Sequence, residues 1–177
     1  MRSGSGYPVS QATIEIRPAR AAELPDVGTL TVEAYRADGY LGPDSTGYAE
    51  TLADAASRMR AAELLVAVDG DGALVGTVTI ALPGTEYAEI SRDGELEFRM
   101  LAVAPTARGN GIGEQLTRAV LARARDLGLP RVVLCSSRKM AAAHRLYARL
   151  GFVRLPERDW SPGPGVDLIA FVLEVVD

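Results

Sequence analysis

The sequence predicts one mixed α/β domain, a sheet with antiparallel and parallel pairs that carries helices against it. Three patterns predict it. Two β-rich runs joined by Asp69-Gly70-Asp71-Gly72 read as an antiparallel hairpin, because these residues tolerate the positive φ angles of tight turns. The second half alternates strand, helix, strand, helix, strand, which implies right-handed crossovers and parallel pairing. A content of 47% hydrophobic and 24% charged residues over 177 residues is that of an ordinary packed domain.

In chain order, Thr13–Ala19 alternates apolar and polar side chains and reads as a strand, and residues 21–37 take helical spacing. Residues 38–48, rich in Gly and Asp, read as a loop. The following AETLADAASRMRAAE reads as one helix with Leu52, Ala55, Ala56 and Met59 on a shared face. After the hairpin, Glu95, Glu97 and Arg99 alternate with Leu96, Phe98 and Met100, so one face of this strand is expected to be wet and the other buried. Beyond Pro105 a helix carries Ile112, Leu116, Val120 and Leu127 in register and stops at Gly128 and Pro130. RVVLC, continuous and apolar, has the pattern of a central strand covered on both faces. A helix over 139–150 aligns Met140, Ala143, Tyr147 and Leu150 and ends at Gly151, and a last strand begins near Gly165. No repeat or composition break marks a second domain; residues 1–12 are expected to be a flexible leader and 13–177 the folded unit.

A net charge of -4 supplies no basic surface for a nucleic-acid backbone or an anionic membrane, so neither is expected as a partner. The single cysteine, Cys135, excludes an internal disulfide and a multi-thiolate metal site, which suits a reducing cytoplasm. No apolar stretch has the length of a signal-peptide core or a membrane span. A homodimer is compatible with everything above.

The chemistry concentrates between Val103 and Glu114, where a strand end feeds a glycine-rich turn that opens a helix. Glycines permit positive φ and close backbone approach, and the first N–H groups of a helix have no intrahelical partner and carry the positive end of the dipole. Arg108 adds a forked cation suited to phosphate oxygens. Such turns also start helices with no ligand at all, so the turn alone does not decide. Glu114 stands where a dinucleotide fingerprint needs its third glycine, and no Gly-Lys-Ser/Thr closes a P-loop.

Arg108-Gly-Asn-Gly111-Ile-Gly113, after a strand ending Leu101-Ala-Val103-Ala-Pro105, resembles the acyl-CoA motif of the GNAT superfamily. Ala143-His-Arg-Leu146-Tyr147-Ala-Arg-Leu-Gly151-Phe152 is similar to that family's second signature, and the two are spaced as in the family. The resemblance implies a GNAT-like fold of about seven strands and about four helices, with a splayed central parallel pair. It implies acetyl-CoA as cosubstrate, no metal, and direct transfer of the acetyl group to a primary amine on a small molecule or peptide. Carried over residue by residue, it assigns the cofactor to Leu101, Ala102, Val103, Arg108, Gly109, Asn110, Gly111, Ile112, Gly113, Glu114 and Tyr147. Glycines 109, 111 and 113 would serve backbone reach.

An ammonium near pKa 10.4 must lose a proton before it attacks a thioester. The resemblance makes Glu97 the candidate base, with Glu95 weaker, and Tyr147 the group that protonates the departing thiolate. The plainer readings are an ion-paired strand carboxylate and a core aromatic. Where many members carry an asparagine, this chain has Met140. His144 reads as a solvated helix position, and Cys135 as a small buried side chain rather than a nucleophile. Glu86, Glu89, Asp93, Glu95 and Glu97 are expected to form a negative mouth for a cationic amine. The segments 35–48, 83–94 and 156–166, with Trp160, are expected to wall the acceptor cleft without naming its ligand. Two alternatives remain: a longer acyl donor, and a non-catalytic acyl-CoA-binding module.

Overall fold

The computed structural model describes residues 13–175, so the leader expected over residues 1–12 lies outside the described residues. Among the described residues eight strands form one sheet and five α-helices pack against it, with three single-turn helices between elements. In chain order these are β1 (Glu15–Pro18), α1 (Leu24–Ala37), α2 (Thr46–Ala53), α3 (Ala55–Ala61), β2 (Glu63–Val68), β3 (Leu74–Ala81) and β4 (Glu95–Val103). Then follow α4 (Ile112–Asp126), β5 (Arg131–Ser137), α5 (Ala141–Leu150), β6 (Val153–Arg154), β7 (Trp160–Gly163) and β8 (Val166–Glu174).

The strand order is β1-β2-β3-β4-β5-β8-β6, with β7 paired to β8. The predicted hairpin is β2 and β3. Among the described residues only β4 and β5 pair in parallel; β8 enters antiparallel to β5 and separates it from β6. The sequence pattern therefore identified the crossover helices but not the strand inserted between the ends of the second crossover. Residues 160–163, expected as loop, form a short strand on β8. Val78, Ile80, Leu96, Phe98, Leu116 and Val120 lie at the centre of the core between the sheet and α4.

Strand β4 departs from the expected wet and buried faces. Glu95 and Glu97 are 3% and 0% exposed, because helices cover one side of this central strand and the segment after β3 folds back over the other. Alternation in the sequence identifies two faces, but which of them meets solvent depends on what packs there.

The helix expected over 49–63 is two helices. Asp54 ends α2 at φ -82, ψ 68 and caps α3, its Oδ1 accepting from Ser57 N–H at 3.0 Å. The break rotates the faces: Leu52 and Ala55 are buried as expected, but Met59 is exposed and Arg58 is 0% exposed. The Arg58 guanidinium donates to the Thr51 and Leu52 carbonyls at 3.0 and 2.8 Å, satisfying the end of α2. Leu127, expected in the apolar register of α4, is its exposed C-cap.

Helix α1 crosses the end of α2 at Gly28, where an added Cβ would sit 2.2 Å from the Ala53 carbonyl oxygen. We expect Gly28→Ala to destabilise the fold by about 1–3 kcal/mol through overpacking, read as a lowered thermal midpoint with unchanged helix content. An unshifted midpoint would mean that α2 yields freely.

Candidate functional site

The site begins where β4 and β5 part. Their parallel register runs from Glu95 opposite Arg131 to Glu97 opposite Val133 and stops. Against β3, Thr77 faces Ala102 and Thr79 faces Arg99, so two residues of β4 oppose Val78 alone; Met100 takes the extra position at φ 54. Such a bulge turns the strand. Beyond Glu97 one edge of β4 has no strand partner among the described residues, and its main-chain polar groups are left to a ligand or solvent.

Two clefts meet at this gap. The first, about 480 Å³, lies between the open end of β4, the start of α4 and the start of α5. Leu101, Ala102, Val103, Arg108, Gly109, Gly111, Ile112, Gly113 and Glu114 line it. The second, about 930 Å³, lies between the α1–α2 segment, the β5–α5 turn and the β7–β8 hairpin. Tyr35, Tyr40 and Met140 line both.

Gly109 and Gly111 stand at φ 82 and 73, the left-handed region the turn requires, and no side chain caps α4. Gly113 is helical instead; it lines the cleft, and because a Cβ there would meet Leu146 at 3.3 Å, it also lets α4 pack closely on α5. Asn110 does not line the cleft; its amide donates to the Ala107 and Arg108 carbonyls at 2.9 and 3.4 Å and braces the turn. Arg108 points to α1, where it is ion-paired with Asp38 and donates to the Ala34 carbonyl at 3.2 Å.

Glu97 reaches the second cleft. Its Oε2 accepts from the Glu89, Ile90 and Ser91 N–H groups at 2.8, 3.1 and 3.1 Å, while Oε1 is buried without a partner among the described residues. Glu95 does a different job. It accepts from Arg92 N–H at 2.9 Å and pairs with Arg158, which also donates to the Ile90 carbonyl at 3.2 Å. Burial opposes the Glu95 charge, but the Arg158 bond and the Arg92 N–H outweigh it and hold the carboxyl below its usual range. Glu95 thus fastens the 89–92 segment whose amides fix Glu97.

The negative mouth expected from five acidic residues is absent as a cluster: of them only Glu89 and Glu97 line the second cleft, and Glu89 is paired with Arg99. Of the three segments expected to wall it, 83–94 contributes only Glu89, whereas 35–48 and 156–166 both contribute. Cys135 also lines this cleft; burial pushes its thiol up to about 12, against a hydrogen bond from Trp160. Tyr147 lines neither cleft. It is 4% exposed among Phe98, Phe152 and Phe171, with ring centroids 5.7–5.9 Å away, and burial raises its hydroxyl pKa.

His144 is not the solvated position expected. Half-buried against Phe171, it lies with Nε2 3.1 Å from Ser136 Oγ, a contact between β5 and α5 that no local pattern signals. We expect Cys135 in native protein at pH 7.5 to resist a neutral alkylating reagent, with full labelling only after unfolding, as quantified by mass spectrometry; prompt native labelling would contradict its burial.

Comparison with known proteins agrees with this architecture. Residues 29–152 match the Acetyltransferase (GNAT) family. Mycothiol acetyltransferase of Salinispora tropica is 38% identical over 157 residues, which are 77% of this chain and 48% of that protein. Amino-acid acetyltransferase of Ralstonia nicotianae is 30% identical over 155 residues, 86% of this chain and 30% of that protein. The chain thus spans about half the length, or less, of these curated relatives. An acetyltransferase of the GNAT family from Staphylococcus aureus superposes with a TM-score of 0.73 at 14% identity, covering 93% of this chain and 100% of that one. A putative acetyltransferase from Salmonella typhimurium, solved with acetyl-CoA, gives 0.63 at 21% identity, covering 93% and 95%. Among the described residues no helix is long and apolar enough to cross a membrane. With the glycine turn, the parted strands and the family match in agreement, this chain belongs to the GNAT family of acetyltransferases.

Proposed function

We propose that the chain transfers the acetyl group of acetyl-CoA directly to the primary amine of a small molecule. The observation that carries this reading is the meeting of two clefts at the gap between β4 and β5, one ending on an uncapped helix start and the other on an unpartnered carboxylate oxygen. The cofactor's diphosphate would rest on main-chain N–H groups from Arg108 to Glu114, where the dipole of α4 favours an anion. Its pantetheine arm would run along the open edge of Leu101, Ala102 and Val103. There the Val103 N–H would polarise the acetyl carbonyl as negative charge develops on it.

The acceptor enters by the second cleft, whose volume suits a small molecule. Glu97 Oε1 takes the ammonium proton. The amine nitrogen then attacks the thioester carbon, the nitrogen gives up its second proton as the C–S bond breaks, and the thiolate takes a proton from the Tyr35 hydroxyl, which lines both clefts. Cys135, un-ionised at neutral pH, fits direct transfer rather than an acyl-enzyme. Relatives named for mycothiol and for amino acids support a small-molecule amine over a peptide.

Thiol release from acetyl-CoA across a panel of L-amino acids, amino sugars and aryl amines tests this reading. Turnover with at least one acceptor is expected, with Glu97→Gln lowering kcat by about 10²–10⁴ and leaving acetyl-CoA affinity unchanged. Gly111→Arg, whose side chain would occupy the cradle, should abolish calorimetric binding of acetyl-CoA in folded protein. Absence of binding by the unaltered chain at millimolar acetyl-CoA would overturn the reading; binding without thiol release from any amine would support a non-catalytic acyl-CoA-binding module instead.

A further inference from the structure

The geometry points to a second proton acceptor in the acceptor cleft: His144, reached through the Ser136 hydroxyl. The inference rests on the acetyl-transfer reading above and concerns how the second proton leaves the amine. Converting an ammonium, R–NH3+, to an amide removes two protons from nitrogen. One finally protonates the CoA thiolate and the other leaves to solvent. The nitrogen must lose one before attack and one as the tetrahedral adduct collapses, and a single buried carboxylate oxygen holds only one at a time.

The second acceptor has the required placement. Ser136 is 5% exposed, lies on β5 and lines the second cleft beside Met140, which lines both clefts. Its Oγ has two neighbours able to accept its proton, His144 Nε2 at 3.1 Å and the Met140 sulfur at 3.5 Å, and an imidazole nitrogen is both the nearer and the stronger acceptor. A main-chain hydrogen bond with Ser137 acts on the ring, and for Nε2 to accept from Ser136 the single proton of the neutral ring must sit on Nδ1.

The groups acting on this ring agree. Burial lowers the His144 pKa below 6.5 and outweighs the Ser137 bond, and the Arg138 and Arg154 cations act in the same direction. Arg138 comes from the β5–α5 turn; Arg154 comes from β6, where Asp159 pairs with it, and Phe171 of β8 is the apolar neighbour. The ring is therefore neutral and able to accept at pH 7. In the relay, the N–H bond of the adduct breaks as its proton passes to Ser136 Oγ, while the Ser136 proton passes to Nε2. The imidazolium then releases that proton to solvent, or returns it through Ser136 to the thiolate.

Because His144 is the only histidine in the sequence, its ring signals are unambiguous in NMR of the full chain. In the unliganded protein we expect a His144 pKa below 6.5 with a proton-free Nε2, and Ser136→Ala should shift both the titration and the Nε2 resonance. With the best acceptor of the amine panel, Ser136→Ala and His144→Gln should each lower kcat about tenfold at pH 7 with the KM for acetyl-CoA unchanged. Both should remove the acid limb that tracks the His144 titration, a change that a packing role would not produce. Wild-type kcat and an unaltered pH profile in Ser136→Ala would overturn the relay, as would a His144 titration indifferent to that substitution. If no amine releases thiol, the acetyl-transfer reading falls and takes the relay with it, whereas thiol release with a wild-type profile in both variants sinks the relay alone.

Discussion

The separation of β4 from β5 is the constraint on which the rest of the molecule depends. A continuous parallel pair would satisfy every main-chain group from Phe98 to Val103 and leave no space between the strands. Here the register ends at Glu97 and Val133, and the bulge at Met100, in a left-handed conformation unusual for a side chain of that size, carries the rest of β4 away. Both clefts descend from that divergence. One uses the exposed strand edge together with the start of α4, the other uses the floor that the gap uncovers.

The local strain is held by strong surroundings. On one side, Gly76 brings β3 within contact of α4, since an added Cβ would lie 2.9 Å from both Ile112 and Leu116, so the start of α4 is pinned directly beneath the turn. On the other side, Glu95 and Arg158 fasten the 89–92 segment over β4. Glu97 is thereby fixed through one oxygen by three main-chain donors while the other oxygen stays open. A buried carboxylate oxygen without a partner among the described residues is costly in free energy, and the three main-chain donors on Oε2 offset part of that cost.

Several charged side chains act across the fold rather than along it. Arg108 joins the glycine turn to the end of α1, and Asp38 and Tyr40 from that end line the first cleft. The buried Arg58 guanidinium bonds to the carbonyls that end α2, so the break at Asp54 is compatible with a dry interior. The positions of the walls of both clefts thus follow from contacts between elements distant in sequence.

Local chemistry made three features legible in the sequence: the β2–β3 hairpin from its Asp-Gly turn, α4 from its register and stop signals, and the tight turn before α4 from glycines at 109 and 111, both at positive φ. The sequence also placed the GNAT resemblance in two short segments, because those segments are contiguous. Packing between distant elements settled the rest: both faces of β4 are covered, β8 separates β5 from β6, Arg58 rather than Met59 is buried, and Glu95 braces the 89–92 segment while one oxygen of Glu97 stays open. It likewise decided that His144 meets Ser136. The physical reason is the same in each case: alternation and spacing fix the direction in which a side chain leaves its own strand or helix, whereas its burial and its hydrogen-bond partner are set by another element that arrives from elsewhere in the chain.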